Sequence, residues 1–373
     1  MAPSRSRVPS RRRAPGWVVR PLSWAAGWDY GTNLDCLRGL VAYWADGFDW
    51  RAQEERLNAF DHFRAEVAGI GVHFVHERGS ASRPLPIIVS QGWPSTFVEM
   101  LALVPRLAHP ERYGGDPEDA FDVVVPSLPG FGFSDRPVRR GMTKTRVAAL
   151  WAELMTRHLG HERFAVRGGD IGSGISAFLG LDHADHVIGI HVSDALRPYL
   201  GPGAPPLSAA EEQFLAGESA WMAKEGAYDH LQATKPQTLA YGLQDSPAGL
   251  AAWIVEKLRG WSDCAGVLER RFSPDEILTH LTIYWVTGTI HSANRMYFER
   301  DQEGRTLARG ERVEVPCAVT IWPGDIDHPP REWAERAYRV ERWTEMPRGG
   351  HFAAHEEPDL LAADIREFFR PLR

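Results

Sequence analysis

The apolar positions along the chain follow two alternating rhythms. Short runs rich in β-branched and aromatic residues read as strands: GVHFVHER (71–78), PIIVS (86–90), FDVVVPS (121–127), FAVRG (164–168) and VIGIHVS (187–193). Between them lie stretches with helical spacing, namely TFVEMLALVPRLA, TRVAALWAELMTRHL and SGISAFLGL. Strands that alternate with helices predict βαβ crossovers, hence a parallel sheet with helices on both faces. From about Arg197 to Arg300 the β-like runs vanish and helical patterns dominate. There SPDEILTHLTIYWVTGTI opens with Ser273 as N-cap, Pro274 at the first helical position and two acids in the first turn. The β pattern resumes with CAVTIW (317–322), a helical REWAERAYR, the run VERWTEMP and a last helix from about Pro358 to Phe369. The predicted fold class is therefore α/β: a mostly parallel, doubly wound sheet whose two halves, residues 61–196 and 303–373, flank an inserted helical lid at 197–302. Residues 1–60 form a tail and an arm. The arm, LDCLRGLVAYWADGFDWRAQEERLNAF (34–60), is aromatic-rich, partly helical and too short for a core of its own, so it is expected to pack on the C-terminal remainder of the chain.

Composition narrows the class without naming a reaction. A chain of 373 residues with 43% hydrophobic content can bury a substantial core. Net charge is −7, from 42 basic and 49 acidic residues, so the totals suggest neither nucleic acid nor a membrane surface as partner. Three cysteines, Cys36, Cys264 and Cys317, stand far apart without CxxC spacing, which argues against a disulfide framework or zinc knuckle and for a reducing, cytoplasmic setting. The opening MAPSRSRVPSRRRAPGWVVR is basic and lacks an acid; with no apolar run behind Arg11 to Arg13 it reads as a tail, not a signal, and no membrane anchor is expected.

Candidate chemistry gathers where strands end, the place where doubly wound sheets bind ligands. In FAVRGGDIGSGI (164–175), the frame Gly168-x-Asp170-x-Gly172 has small residues where a strained strand-to-helix turn tolerates no bulk. A carboxylate stands where such elbows usually carry serine, and it can attack carbon and form an ester. Asp170 could equally serve as a helix cap, so its partners decide. His351, in RGGHFAAHEEP after the last β run, is the candidate base, with His355 as its rival. Asp325, in WPGDIDHPP, is the candidate for orienting it, with Asp327 as competitor. The order Asp170, Asp325, His351 is that of nucleophile, acid and histidine in α/β-hydrolases. Backbone amides of Trp93, in SQGWPSTF, and of Ile171 are candidate oxyanion donors.

These residues resemble the microsomal-type epoxide hydrolases, which include the juvenile hormone epoxide hydrolases. The resemblance runs from about Asn33 to the C-terminus and is carried by YWADGFDWRAQEERLN, GVHFVH, GWP, VPSLPGFGFSD, GGDIG, YWVTGTI and RGGHFAAHEEP in combination. It implies an α/β-hydrolase core, a helical lid and a wrapping arm. It also implies two lid tyrosines that donate hydrogen bonds to the epoxide oxygen; motif matching puts them at Tyr228 (AYDHLQATKP) and Tyr297 (NRMYFERD). Three departures accompany it. Gln91 replaces the histidine of HGWP, Ile171 replaces the tryptophan common after the nucleophile, and Met1 to about Gly31 does not read like the family's arm.

The expected activity is hydrolysis of a small apolar epoxide to a vicinal diol through an Asp170 ester, with no metal or organic cofactor; a homodimer is an open expectation. A haloalkane or haloacid dehalogenase would use the same nucleophile, but Ile171 removes one habitual site for a halide-binding indole. A non-catalytic ligand-binding relative is the reading from another class, which Gln91 keeps open and the intact set Asp170, Asp325 and His351 opposes.

Overall fold

The computed structural model of the protein describes residues 27–303 and 305–373; the basic tail before residue 27 lies outside them. Eight strands form one sheet: β1 (His62–Val67), β2 (Ile70–Glu77), β3 (Leu85–Ser90), β4 (Phe121–Pro126), β5 (Phe164–Gly168), β6 (Val187–Val192), β7 (Val313–Ile321) and β8 (Tyr338–Glu345). Their order is β1-β2-β4-β3-β5-β6-β7-β8. β1 pairs antiparallel with β2 and β2 with β4, while every later pairing is parallel. Parallel strands covered on both faces must be apolar on both, and β4 and β5 are buried along their whole length. Alternate residues feed two apolar layers: Ile88, Val124 and Val166 enter one, Ile87, Val123 and Ala165 the other.

The expected strands all form, and the α/β-hydrolase arrangement is the one observed. One strand is additional. His62–Val67 was not among the expected runs; it is an edge strand with a single fully buried residue, so it carries little apolar signal. A second difference lies in TFVEMLALVPRLA, expected to be one helical stretch. It splits into a 3-10 turn (Phe97–Met100) and a short helix, α3 (Val104–Ala108), because Pro105 has no N–H for the preceding turn and instead opens the second segment.

The arm forms α1 (Leu34–Asp46) and α2 (Trp50–Leu57), and the core contributes α4 (Lys144–Glu153) and α5 (Ile171–Asp182). Between β6 and β7 the described residues form the α-helices α6 (Ala209–Glu225), α7 (Ala227–Thr234), α8 (Pro236–Asp245), α9 (Pro247–Trp261), α10 (Pro274–Thr287) and α11 (Ile290–Glu303). The last part of the chain adds α12 (Arg331–Ala337), α13 (Ala353–Glu356) and α14 (Pro358–Phe369). The arm bonds to these distant helices as well as to its neighbours in sequence. Trp44 Nε1 donates to Thr282 Oγ1 (2.9 Å), Tyr43 Oη to Asp275 Oδ1 (2.8 Å) and Thr32 Oγ1 to the Ala252 carbonyl (2.6 Å). Among the described residues no helix is long and apolar enough to cross a membrane.

Candidate active site

Asp170 stands between β5 and α5 with φ 53° and ψ −122°, a backbone conformation that a residue with a Cβ rarely adopts and that costs about 1–3 kcal/mol. The glycines around it make that conformation fit. A Cβ at Gly168 would run into the Gly172 carbonyl, one at Gly172 into the Ser90 carbonyl, and one at Gly92 into the Asp170 side chain. The Asp170 side chain makes no capping bond to α5. The helix-cap alternative is thereby removed, and the carboxylate is free to face the site.

Each strand end contributes a partner. After β3, the Trp93 backbone N–H donates to Asp170 Oδ1 (2.8 Å). After β7 and β8, Gly324 and Gly350 form a bridge, so the loops carrying Asp325 and His351 run side by side. His351 Nδ1 is 2.8 Å from Asp325 Oδ1, and its Nε2 is 3.7 Å from Asp170 Oδ2. Its own N–H donates to the Trp261 carbonyl (2.9 Å), which ties the loop to α9. Burial disfavours the imidazolium, but the Asp325 charge, the hydrogen bond to it and the charges of Asp170 and Asp194 outweigh that and raise His351 to about 10. The resting site therefore holds an imidazolium between two carboxylates at neutral pH.

The rivals fall elsewhere. His355 sits 2.9 Å from the Arg271 carbonyl through Nε2 and stacks on Phe272 at 4.7 Å. Asp327 lines the cavity in front of Asp170 without reaching His351; burial, then the charges of Asp194, Glu218 and Asp325, raise its carboxyl to about 7.

Tyr228 on α7 and Tyr297 on α11 border the same cavity as Asp170, with a volume of about 200 Å³. Their ring centroids are 6.0 Å apart, and both pack on the Trp93 indole, Tyr228 stacked at 5.3 Å and Tyr297 edge-on at 5.9 Å. Burial, followed by the Asp170 charge, raises both phenols well above the usual range. Ile171, the first residue of α5, lines the cavity with its side chain. Its N–H belongs to the first helical turn, where amides have no partner within the helix. Gln91 is fully buried, and neither side-chain polar atom has a hydrogen-bond partner among the described residues. The loop it belongs to is anchored otherwise. Trp151 Nε1 donates to Ser90 Oγ (3.0 Å), Trp93 Nε1 to Asn294 Oδ1 (3.1 Å) and Tyr284 Oη to the Ser95 carbonyl (2.9 Å).

Three residues of this neighbourhood were not singled out from sequence. Asp194 follows β6 directly and accepts from the Asp170 N–H (2.6 Å) and Ser173 Oγ (2.9 Å) through Oδ2. The strand-end criterion that selects Asp170 would have found it. Trp261 and Glu99 lie within helical or turn segments, where sequence offers no such signal.

Comparisons with known proteins agree with this geometry. The sequence profile described as "epoxide hydrolase N terminus" matches residues 6–100, and the "alpha/beta hydrolase fold" profile matches 86–248. The first match corrects the expectation that the chain before about Gly31 departs from the family. A Stigmatella aurantiaca protein named as a candidate epoxide hydrolase is 42% identical over 93% of this chain and 78% of its own. Epoxide hydrolase 1 of Sus scrofa is 37% identical over 91% of this chain and 80% of its own. The crystal structure of juvenile hormone epoxide hydrolase from the silkworm Bombyx mori superposes with a TM-score of 0.83 at 29% identity, covering 98% of this chain and 90% of that one. With relatives this similar along nearly all of its length, the chain belongs to the epoxide hydrolase family of the α/β-hydrolase fold.

Proposed function

We propose that the protein hydrolyses a small apolar epoxide to a vicinal diol in two covalent steps. The observation that carries this reading is the Asp170 carboxylate: strained into the open, held by the Trp93 N–H on one oxygen and facing His351 with the other. Asp170 attacks an epoxide carbon; an ester C–O bond forms, a ring C–O bond breaks, and its electron pair stays on the ring oxygen. Tyr228 and Tyr297, carried by α6–α11 acting as a lid over the core halves, hold that oxygen, and one phenol gives it a proton. Phenols of raised pKa suit the task, since they keep their protons until a base as strong as an alkoxide appears.

Alkylation then prepares the second step. It removes the Asp170 charge, one of the causes that hold His351 high, so the imidazolium becomes more acidic and returns a proton to the phenolate. Neutral His351, oriented by Asp325, takes a proton from water as the water oxygen bonds to the ester carbonyl carbon. The Trp93 and Ile171 amides hold the resulting oxyanion. Collapse breaks the bond from that carbon to the diol oxygen. Of the two water protons, one ends on the diol and one on His351, restoring the imidazolium beside the Asp170 carboxylate. The chemistry uses side chains and backbone amides alone. The dehalogenase alternative loses support because the Trp93 indole N–H is engaged by Asn294. The three unpaired cysteines support a cytoplasmic setting as part of the same reading.

Single turnover in heavy-oxygen water tests it. The first diol should carry no label and repeated cycles should place label in the Asp170 carboxylate; label in the first diol would mean that water attacks the epoxide directly. His351→Gln should accumulate an adduct on the Asp170 peptide, seen by mass spectrometry.

A further inference from the structure

Once the ester has formed, its alkyl group fills the cavity beneath the tyrosines, so the water that cleaves it needs a place of its own. A second, enclosed cavity of about 10 Å³ lies against the same carboxylate. That is about the volume that one water requires. It shares a single lining residue with the substrate cavity, Asp170, and is otherwise bounded by His351, Ser95, Glu99, Ala354 and others. Such a site holds water only if it has two or more polar partners, and here Glu99, His351, Ser95 and Asp170 are among the lining residues. Glu99 is buried, and nothing in the two-step scheme uses it.

We infer that Glu99 is a catalytic residue of the second step: it accepts a hydrogen bond from the hydrolytic water in this cavity while His351 takes the other proton, which aims the water oxygen at the ester carbonyl. The inference rests on the ester reading given above. Glu99 is free for this task because Arg167, its buried cationic neighbour, spends its hydrogen bonds on Ser193 Oγ and on the carbonyls of Gly168 and His191. Burial raises the Glu99 carboxyl to about 7, against a hydrogen bond from Ser95 and the nearby charges of His351 and Arg167. Protonated or not, it keeps an oxygen that accepts. No bond to Glu99 is made or broken in the step; the water O–H it holds becomes the O–H of the new carboxyl group, which then gives that proton to His351 once the first has passed to the diol oxygen.

The test is Glu99→Met, which keeps the length of the side chain and removes the accepting oxygen, followed by rapid quench and mass spectrometry of the Asp170 peptide in parallel with steady-state rates. Ester formation should proceed at the parent rate, ester breakdown should slow by about tenfold to a hundredfold, and kcat and KM should fall together so that kcat/KM changes little. Equal breakdown rates in variant and parent, or equal losses in kcat and kcat/KM, would overturn the role. If Glu99→Met does not fold, Ala354→Val, which fills the cavity from its other wall, should give the same split between the two steps. Breakdown at the parent rate in a folded Ala354→Val protein would likewise overturn it. Absence of an ester in every protein, parent included, would instead remove the reading on which the inference depends, and the role of Glu99 with it.

Discussion

At the scale of residues, His351 carries the argument about timing. In the resting protein its imidazolium is held up to about 10 by the Asp325 carboxylate and its hydrogen bond, then by Asp170 and Asp194. An imidazolium cannot take a proton from water, so in the proposed scheme the base for the second step is absent until the first is complete. Alkylation removes one of the charges responsible and the folded-state pKa falls. The expected outcome is that ester breakdown, followed in single turnover, rises with pH and levels off at an apparent pKa clearly below the value for the imidazole in the free protein, read by NMR titration. Identical values in both states would mean that the Asp170 charge does not couple to His351. The site's arrangement was legible in the sequence because strand ends mark it: Asp170, Asp325 and His351 come together, and the Trp93 N–H donates to Asp170. What was illegible was the support behind them. Nothing local to Glu99 or Trp261 announces that a chain turn far away will bring it near His351, and the buried Gln91 side chain has no hydrogen-bond partner among the described residues for reasons that no motif contains.

At the scale of elements, α10 joins the arm to the oxyanion loop. Its first turn offers Asp275 to Tyr43 and Gln53 of the arm, Thr282 accepts from Trp44, and Tyr284 donates to the Ser95 carbonyl in the Trp93 loop. The start of this helix was visible in SPDE: Ser273 accepts from the Glu276 N–H, and the Glu276 carboxylate accepts from the Ser273 N–H at 2.8 Å, a reciprocal cap. Ser273→Ala should lower unfolding free energy by about 1 kcal/mol, measured by urea denaturation; no change would mean that tertiary contacts alone fix the helix end. Strong local signals such as this cap, or the Pro358 that opens α14, transmit element boundaries well. The missed strand had a weaker one. Phe63, Ala65 and Val67 alternate with His62, Arg64 and Glu66, but Phe63 points outward at 45% exposure, and the turn to β2 is Ala68-Gly69, both at positive φ, in place of the usual Asn-Gly. Short edge strands depend on a partner for their apolar side, and the partner is not in the local pattern.

At the scale of the whole molecule, the site's electrostatics set how stability responds to pH, and the sign can be worked out group by group. Stability falls with rising pH wherever the folded state binds more protons than the unfolded one. Glu99, Glu356 and Asp327 are each raised by burial to about 7, from unfolded values of about 4. They hold protons that the unfolded chain releases, so their contribution is lost as pH climbs from about 4 to about 7. His351 is raised to about 10 from an unfolded value of about 6.5, so its contribution is complete below about 6.5 and disappears as pH rises to about 10. Asp122 works in the opposite direction. Burial opposes its carboxylate, but the nearby His76 imidazole, the Gly79 N–H (3.1 Å) and the Arg78 guanidinium (2.7 Å) bring it down to about 2, and its contribution is lost only as pH falls from about 4 to about 2. The buried histidines oppose the raised acids over the same range: burial lowers His73 and His280 to about 3, so the unfolded chain takes up protons that the fold refuses, and their contribution is lost as pH falls from about 6.5 to about 3. The two sets offset each other between about 4 and 6.5, and above about 7 His351 makes stability fall with rising pH. Urea unfolding across pH 3–10 should therefore show stability declining from about pH 7 upward, where the fold retains a His351 proton that the unfolded chain has released, and the stability difference between the parent and Asp327→Asn, on the rim of the substrate cavity, should shift against the parent between about 4 and 7. A parent protein whose stability climbs between pH 7 and 9 would mean that the fold does not retain the His351 proton, and the imidazolium between Asp325 and Asp170 would have to be reconsidered.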